Sequence, residues 1–334
     1  MSTLQQFGND TSTAEIVDYS VSNWQDRASA ADNDWQAIAW NGTVFAAVAD
    51  NGIAGTRVAT SSDGITWTSR SETATNSWRA IAWNGTVFAA VAASGAGNRV
   101  MTSPDGITWT SRTSAANVSW RGIAWNGTVF AAIAQDGTTS NQVMTSPDGT
   151  TWTSRTSPEA SAWIGIAWNG TVFAAVAQSG TGNRVMTSPD GITWTIRTSA
   201  ADNAWRAIAW NGTVFAAVSL TGTNNRVMTS SDGINWAIRV TPVIDCTAIA
   251  WNGTVFVAAG NGGGNRIMTS PDGITWTARD GGNNDVWRTV AWNGLGPAPM
   301  YLLPTPGAAT AGAVFVVYGN ARVMTNLFYK RDAT

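Results

Sequence analysis

Seven positions spaced about 42 residues apart carry the side chains of this chain best suited to holding a ligand. Six are tryptophans, Trp35, Trp78, Trp120, Trp163, Trp205 and Trp287, and Cys246 stands at the remaining one. The residues that follow them are Gln36, Arg79, Arg121, Ile164, Arg206, Thr247 and Arg288. An aromatic face suits the apolar side of a sugar ring, and amide side chains supply donors and acceptors for its hydroxyls. Asn98, Asn183, Asn225 and Asn265 are the amides at hand, each in a Gly- and Asn-rich stretch. Two readings stand side by side. The tryptophans, arginines and asparagines form a binding surface, or the tryptophans are core, since large aromatics dominate interiors. In the second case the arginines pair with nearby Glu72, Asp202 or Asp285, an arrangement of little energetic weight.

Catalytic chemistry has less to stand on. The chain contains no histidine, which removes the commonest general base and the commonest zinc ligand. Asp63, Asp105, Asp148, Asp190, Asp232 and Asp272 all fall in one recurring turn, where a carboxylate that caps backbone N–H groups is a sufficient explanation. Arg99, Arg184 and Arg226 recur at equivalent places, whereas a catalytic residue would break the repeat at one point. We expect no catalytic residue, no metal ligand and no cofactor. Asn-Gly-Thr at Asn41, Asn84, Asn126, Asn169, Asn211 and Asn252 matches a glycosylation sequon, but turn formation accounts for every copy.

The elements that position these residues follow from the repeat. Ala-Trp-Asn-Gly recurs with its tryptophans at 40, 83, 125, 168, 210, 251 and 292, at spacings of 43, 42, 43, 42, 41 and 41. Within one unit, Trp78 to Trp83 reads as a first strand and Thr86 to Ala92 as a second, joined by an Asn-Gly hairpin of type I′. Arg99 to Thr102 reads as a third strand. Ser103-Pro104-Asp105-Gly106 then turns the chain into a fourth, Ile107 to Arg112. Four antiparallel strands per unit of 40 to 45 residues are the signature of a propeller blade. The expectation is an all-β, seven-bladed β-propeller, with a tail over 1–14, one domain over 15–334, and blades starting near 35, 78, 120, 163, 205, 246 and 287. In that geometry the tryptophan–arginine positions lie around the channel mouth, on the face that bears the Gly/Asn loops.

The ends of the chain suggest how the ring closes. Trp24 precedes Trp35 by the eleven residues that separate Trp67 from Trp78, so Ser22 to Arg27 reads as a displaced fourth strand. It is expected to complete the seventh blade as an N-terminal clasp that removes two sheet edges. An apolar, proline-rich insertion over 295–312 interrupts that blade. Its Pro297, Met300, Tyr301, Leu302 and Leu303 either dock a partner or subunit, as exposed apolar patches do, or fold back over the ring.

Composition narrows the partners. Lys330 is the only lysine and the formal net charge is −2, so no basic face invites nucleic acid. No apolar run approaches a bilayer span. The first residues lack the pattern of a secretory signal, and the lone Cys246 fits synthesis in a reducing compartment. The expected location is a virion or extracellular surface reached without a signal peptide, with the cytoplasm as the alternative.

Ser103-Pro104-Asp105-Gly106-Ile107-Thr108-Trp109 resembles the Asp-box of sialidase-like propellers, a Ser-x-Asp-x-Gly-x-Thr-Trp hairpin, with one residue fewer between Asp and Gly. The motif returns near Trp67, Trp152, Trp194, Trp236 and Trp276. The resemblance implies a folding element away from any active site, one also found in lectin-like and phage-associated propellers. Together these readings predict a non-catalytic, multivalent, glycan-binding module. The alternatives are a structural virion, tail or scaffold protein and, more weakly, a glycosidase.

Overall fold

The computed structural model describes residues 29–260 and 267–279, and the strands at 25–26, 286–292, 300–303 and 312–317. Six four-stranded antiparallel sheets follow one another along the chain, each strand paired with its neighbours in sequence. In the second blade the inner strand is Trp78–Trp83, followed by Phe88–Ala92, Val100–Ser103 and the outer Thr110–Arg112. Successive inner strands pack side by side, and Val286–Trp292 lies between the inner strands of the sixth blade and the first. The inner strands therefore close a ring, and the fold is a β-propeller.

Local chemistry explains the shape of each blade. The second strand is buried along its whole length because neighbouring blades cover both of its faces. Small alanines let the sheets approach, and Phe88 is wholly buried between them. Trp78 packs against Ala46, Val48 and Val58 of the preceding blade as well as Phe88 and Ala90 of its own. It is a wedge between sheets.

Two turns differ from expectation in detail. The Asn-Gly hairpin is not type I′, which needs positive φ at both central residues. Among the described residues Asn224 is the only non-glycine with positive φ, while Gly85 has φ 98°. The loop is longer: the Asn84 N–H bonds the Val87 carbonyl at 3.2 Å, and Asn84 Oδ1 accepts from the N–H groups of Thr86 and Val87 at 2.9 and 2.7 Å. The side chain supplies the turn that a left-handed asparagine would otherwise make. In the second turn Asp105 Oδ1 accepts from the N–H of Ile107 and Thr108, at 2.8 and 2.9 Å, and from the Ser103 hydroxyl at 2.9 Å. These bonds hold residues 105–108 in the turn, so the outer strand starts at Thr110 and not at Ile107.

The expectation of seven four-stranded antiparallel blades is corrected by the sheet topology: six such blades are present. Where the seventh was expected, Val286–Trp292 pairs in parallel with Gly312–Val317, and Gly312–Val317 pairs antiparallel with Met300–Leu303. Parallel neighbours need a long crossover, and the insertion that follows Trp292 provides one where the other repeats have a tight hairpin. The N-terminal strand joins this closing sheet, but Gln25 and Asp26 pair in parallel with Tyr301 and Leu302. It is thus the edge of a mixed sheet and not the antiparallel fourth strand foreseen for Ser22 to Arg27. Trp24 lies outside the described residues.

Candidate functional site

A bulge recurs at the start of every inner strand. Trp78 pairs with Ala92 and Ala80 with Val91, so Arg79 between them has no register partner. The same register shift falls at Gln36, Arg121, Ile164, Arg206 and Thr247, and on the closing sheet at Arg288. An extra residue at a bulge is re-aimed relative to the sheet. Here the bulge sets one side chain per sector at the end of the ring where the Gly/Asn loops lie; Ile164 and Thr247 are buried there, and the glutamine and the arginines are half-buried.

The tryptophans beside these bulges are not available to a ligand. Trp35 is 2% exposed and Trp78, Trp120, Trp163 and Trp205 are wholly buried. Each indole N–H bonds the backbone carbonyl four residues earlier, at 3.0 to 3.4 Å. No aromatic face remains to stack on a sugar, and the structure places these five as core; the Trp287 side chain lies outside the described residues. Cys246 at the equivalent place is also wholly buried, and burial pushes its thiol pKa up to about 12.

The loop amides are structural too. Asn76 Nδ2 donates to the Asn98 backbone carbonyl at 2.8 Å and to its Oδ1 at 3.4 Å, and Asn203 Nδ2 donates in the same way to Asn225, at 2.7 and 3.4 Å. Asn183 donates to Glu159, while Asn265 lies outside the described residues. The recurring loop arginines act likewise: the Nε–H groups of Arg99, Arg184 and Arg226 bond carbonyls four residues earlier. The acids suggested by sequence serve these loops. Glu72 accepts from the N–H of Gly55 and Arg57, and Asp202 lies 3.6 Å from Arg184. Asp285 lies outside the described residues.

The bulge arginines are what the mouth offers, and two sides of it differ. On one side, Arg79 pairs with Asp50 at 2.5 Å and donates to Gln36 Oε1 at 3.2 Å, and Arg288 lies 3.7 Å from Asp34. Asp34 and Asp50 both belong to the first blade, so its acids answer the arginines on either side of it. On the other side stand Arg121, Ile164 and Arg206. The residue equivalent to Asp50 is Ala93 in the blade before Arg121 and Gln178 in the blade before Arg206, as their matching backbone bonds show. Asp136 is tied to the backbone N–H and hydroxyl of Ser119, and Asp245 is taken by Arg226. Among the described residues the Arg206 side chain makes no hydrogen bond or ion pair, and the buried Nε of Arg121 has no partner, as is also true of the Nε atoms of Arg79 and Arg288; what sets this side apart is the lack of a carboxylate. Sequence reasoning found these arginines; it did not find Asp50, which the packing of the first blade on the second brings to Arg79, or Asp34, which ring closure brings to Arg288.

The electrostatics agree with the geometry. Desolvation lowers Arg121 to about 10, with the nearby positive charge of Arg79 adding to it and Asp50 and Asp136 opposing. Arg206 is also lowered to about 10, first by burial and then by Arg121, Arg288 and Arg79. Both remain cationic near neutrality. The mouth is therefore a partly desolvated cluster of like charges.

Of the segment expected to dock a partner, Met300, Tyr301, Leu302 and Leu303 form a strand paired on both sides in the closing sheet. Pro297 lies outside the described residues. An open groove of about 450 Å³ occurs elsewhere, lined by Ser111, Arg112, Thr113 and Ser114 of one blade and by Thr150, Thr151 and Trp152 of the next. Among the described residues no group of three or more histidine, cysteine or acidic side chains is placed to hold a metal ion.

No protein-family model matches the chain, and no curated protein does. Solved structures do resemble it. A virginiamycin B lyase from Staphylococcus aureus, in a catalytically inactive form with quinupristin, has a TM-score of 0.67 at 12% identity, covering 79% of this chain and 90% of its own. YCF48 bound to D1 peptide has a TM-score of 0.57 at 15% identity, covering 77% and 84%. YCF48 from Cyanidioschyzon merolae has a TM-score of 0.52 at 14% identity, covering 86% and 96%. At such identities the likeness is one of fold: the chain is a β-propeller repeat protein.

Proposed function

We propose that this chain is a non-catalytic binding module that receives an anionic segment of a partner protein at the arginine-lined mouth of its ring. The observation that carries this reading is the convergence of Arg79, Arg121, Arg206 and Arg288 at bulge positions, with two of the four lacking a carboxylate. Guanidinium groups are effectively always charged and present planar forks of donors, so they suit carboxylates better than neutral hydroxyls. The mouth has no histidine beside it, because the chain has none. That one of the fold neighbours is YCF48 bound to D1 peptide supports a peptide as the type of partner.

The site is single and axial. Gln36, Ile164 and Thr247 interrupt the arginines, so the mouth is not one weak site repeated in every blade. Panning a peptide library against the immobilised chain, then repeating it with Arg79, Arg121, Arg206 and Arg288 all changed to Gln, tests the proposal. Acidic sequences should be enriched on the first protein only, with binding that weakens steeply between 50 and 200 mM salt. Enrichment that is unchanged on the variant overturns the reading.

A second reading keeps glycan as the ligand. It moves the site to the groove between Arg112 and Trp152, whose wall carries five hydroxyl side chains. A glycan array probed with Arg112→Ala beside the unaltered chain tests it, with loss of signal on the variant as the supporting result.

A further inference from the structure

We infer that Arg121, Ile164 and Arg206 form a carboxylate subsite, one per propeller, that takes an acid group flanked by an apolar side chain. This deepens the reading above and rests on it. The three residues occupy the same bulge position in three consecutive blades, so they are adjacent around the mouth. Two guanidinium groups flank one isoleucine. Ile164 is 7% exposed, so its surface supplies a small apolar contact between two cations.

The charge inventory around this arc leaves a deficit of acid. Asp136 faces Arg121 but spends its two oxygens on Ser119, at 2.5 and 2.8 Å. Asp245, next to the following blade, is engaged by Arg226. Asp50 is held by Arg79, and Asp34 lies beside Arg288. Arg121 and Arg206 repel each other, and Arg79 and Arg288 add to that repulsion. A bound carboxylate relieves the repulsion and satisfies the buried Nε of Arg121, which otherwise has no acceptor. On the Asp34–Asp50 side the chain supplies its own carboxylates, so a ligand's charge gains less there, although the buried Nε atoms of Arg79 and Arg288 also lack a hydrogen-bond partner. The contrast between the two sides fixes where the acid group goes.

The acid can come from a chain terminus or from an Asp or Glu side chain. Calorimetry on the full chain at low salt distinguishes them with three probes: N-acetyl-Ala-Ala-Leu as the free acid, the same peptide as its amide, and N-acetyl-Ala-Asp-Leu amide. The free acid should bind at one equivalent, and its amide at least ten-fold more weakly. Binding of the aspartate peptide alone assigns the site to a side-chain carboxylate and supports the subsite equally. Arg206→Gln or Arg121→Gln should weaken the acid probe about ten-fold, and the double variant should lose it. Arg239→Gln, on the outer strand Ala237–Arg239, should bind as the unaltered chain does. Melting curves of the variants establish that the ring is intact. Measurable binding of the acid and its amide with the same affinity, no binding of any of the three probes, retention of binding by the double variant, or tighter binding of inorganic phosphate than of either carboxylate probe overturns the subsite. A library-selected segment that ignores Arg121→Gln and Arg206→Gln but is lost with Arg79→Gln and Arg288→Gln leaves the binding-module reading standing and overturns this one alone.

Discussion

The walls of the blades and the mouth of the ring follow opposite rules. In the walls, the same residue type returns at the same place: a buried tryptophan, a buried phenylalanine, an aspartate capping a turn, a glycine closing it. At the mouth, the bulge position changes from blade to blade, through Gln36, Arg79, Arg121, Ile164, Arg206, Thr247 and Arg288. Every blade must solve the same packing problem, so a residue that solves it returns in nearly all, with Cys246 in place of the inner-strand tryptophan in the sixth blade as the exception. A site on the ring axis is made once, by all blades together, and its residues need not match. Uniformity within this chain marks what builds a blade, and variation marks where the ring differs from a plain scaffold.

The sharpest way to break that comparison is to treat a wall residue as though it were a site residue. Trp120 is wholly buried between its blade and the one before, touching Ala89, Val91 and Phe130. Trp120→Ala should cost about 3–5 kcal/mol of unfolding free energy, the usual range for truncating a buried aromatic. Urea titration measures it. A loss below about 1 kcal/mol would mean that the tryptophan ring is not core after all.

The six turn aspartates act in concert on pH. For Asp148 the N–H of Thr150 is the leading influence, and it lowers the pKa. For Asp63, Asp105, Asp190, Asp232 and Asp272 burial is the largest influence and pushes the pKa up, but the backbone and hydroxyl bonds together outweigh it. All six folded values thus lie below that of an unfolded aspartate, about 3.9. A depressed carboxylate contributes stability that is complete above the unfolded value and is lost as pH falls through the folded one. The melting temperature should therefore be flat with respect to these groups from neutrality to about pH 5 and fall progressively below about pH 4. A melting temperature that rises on acidification from pH 4 would contradict this account of the turns.

One turn taken alone should matter less. Asp105→Ala removes the acceptor for the N–H groups of Ile107 and Thr108, both at exposed positions where water can replace it. The expected cost is about 1 kcal/mol, as for losing a helix N-cap of similar chemistry. Asp105→Asn keeps an acceptor and should recover most of it, while removing that turn's share of the acid sensitivity. Equal losses for the two variants would show that the negative charge, and not the cap, holds the turn.

These tests also bear on what could be read in the residues beforehand. Inner strands such as Trp78–Trp83 were legible to the residue, because two tryptophans and a following Asn-Gly bracket them. The hairpin type was not, since Asn-Gly suits type I′ equally well and the longer loop is distinguished by the bonds of Thr86 and Val87 to the asparagine side chain. The seventh blade was inferred from a seventh Trp-Asn-Gly, although the turn that makes the outer strand had disappeared from that repeat. The arginines of the mouth were found by their period. Their partners were not, because Arg288 and Asp34 are far apart in sequence and meet only when the ring closes. Sugar-stacking tryptophans were the natural reading of an aromatic ring, but the side chain re-aimed by the bulge is the residue after each tryptophan.

The smallest effect should carry the opposite sign. Arg206 is cationic, partly desolvated, and surrounded by Arg121, Arg288 and Arg79, with no ion pair of its own among the described residues. A group in that position weakens the fold: its charge is repelled in the native state and relaxed in the unfolded chain. Arg206→Gln should therefore stabilise the free protein by about 0.3–0.5 kcal/mol, the scale of a screened like-charge contact. Arg79→Gln removes a cation that Asp50 answers at 2.5 Å, so it should give no such gain. The gain at Arg206 should shrink as salt rises, because screening removes the repulsion it relieves. Melting curves of both variants at 20 and 500 mM salt decide the matter. Destabilisation by Arg206→Gln at low salt would mean that this arginine is a structural member of the wall, and the distinction between wall and mouth would fail at the residue where it is most clearly drawn.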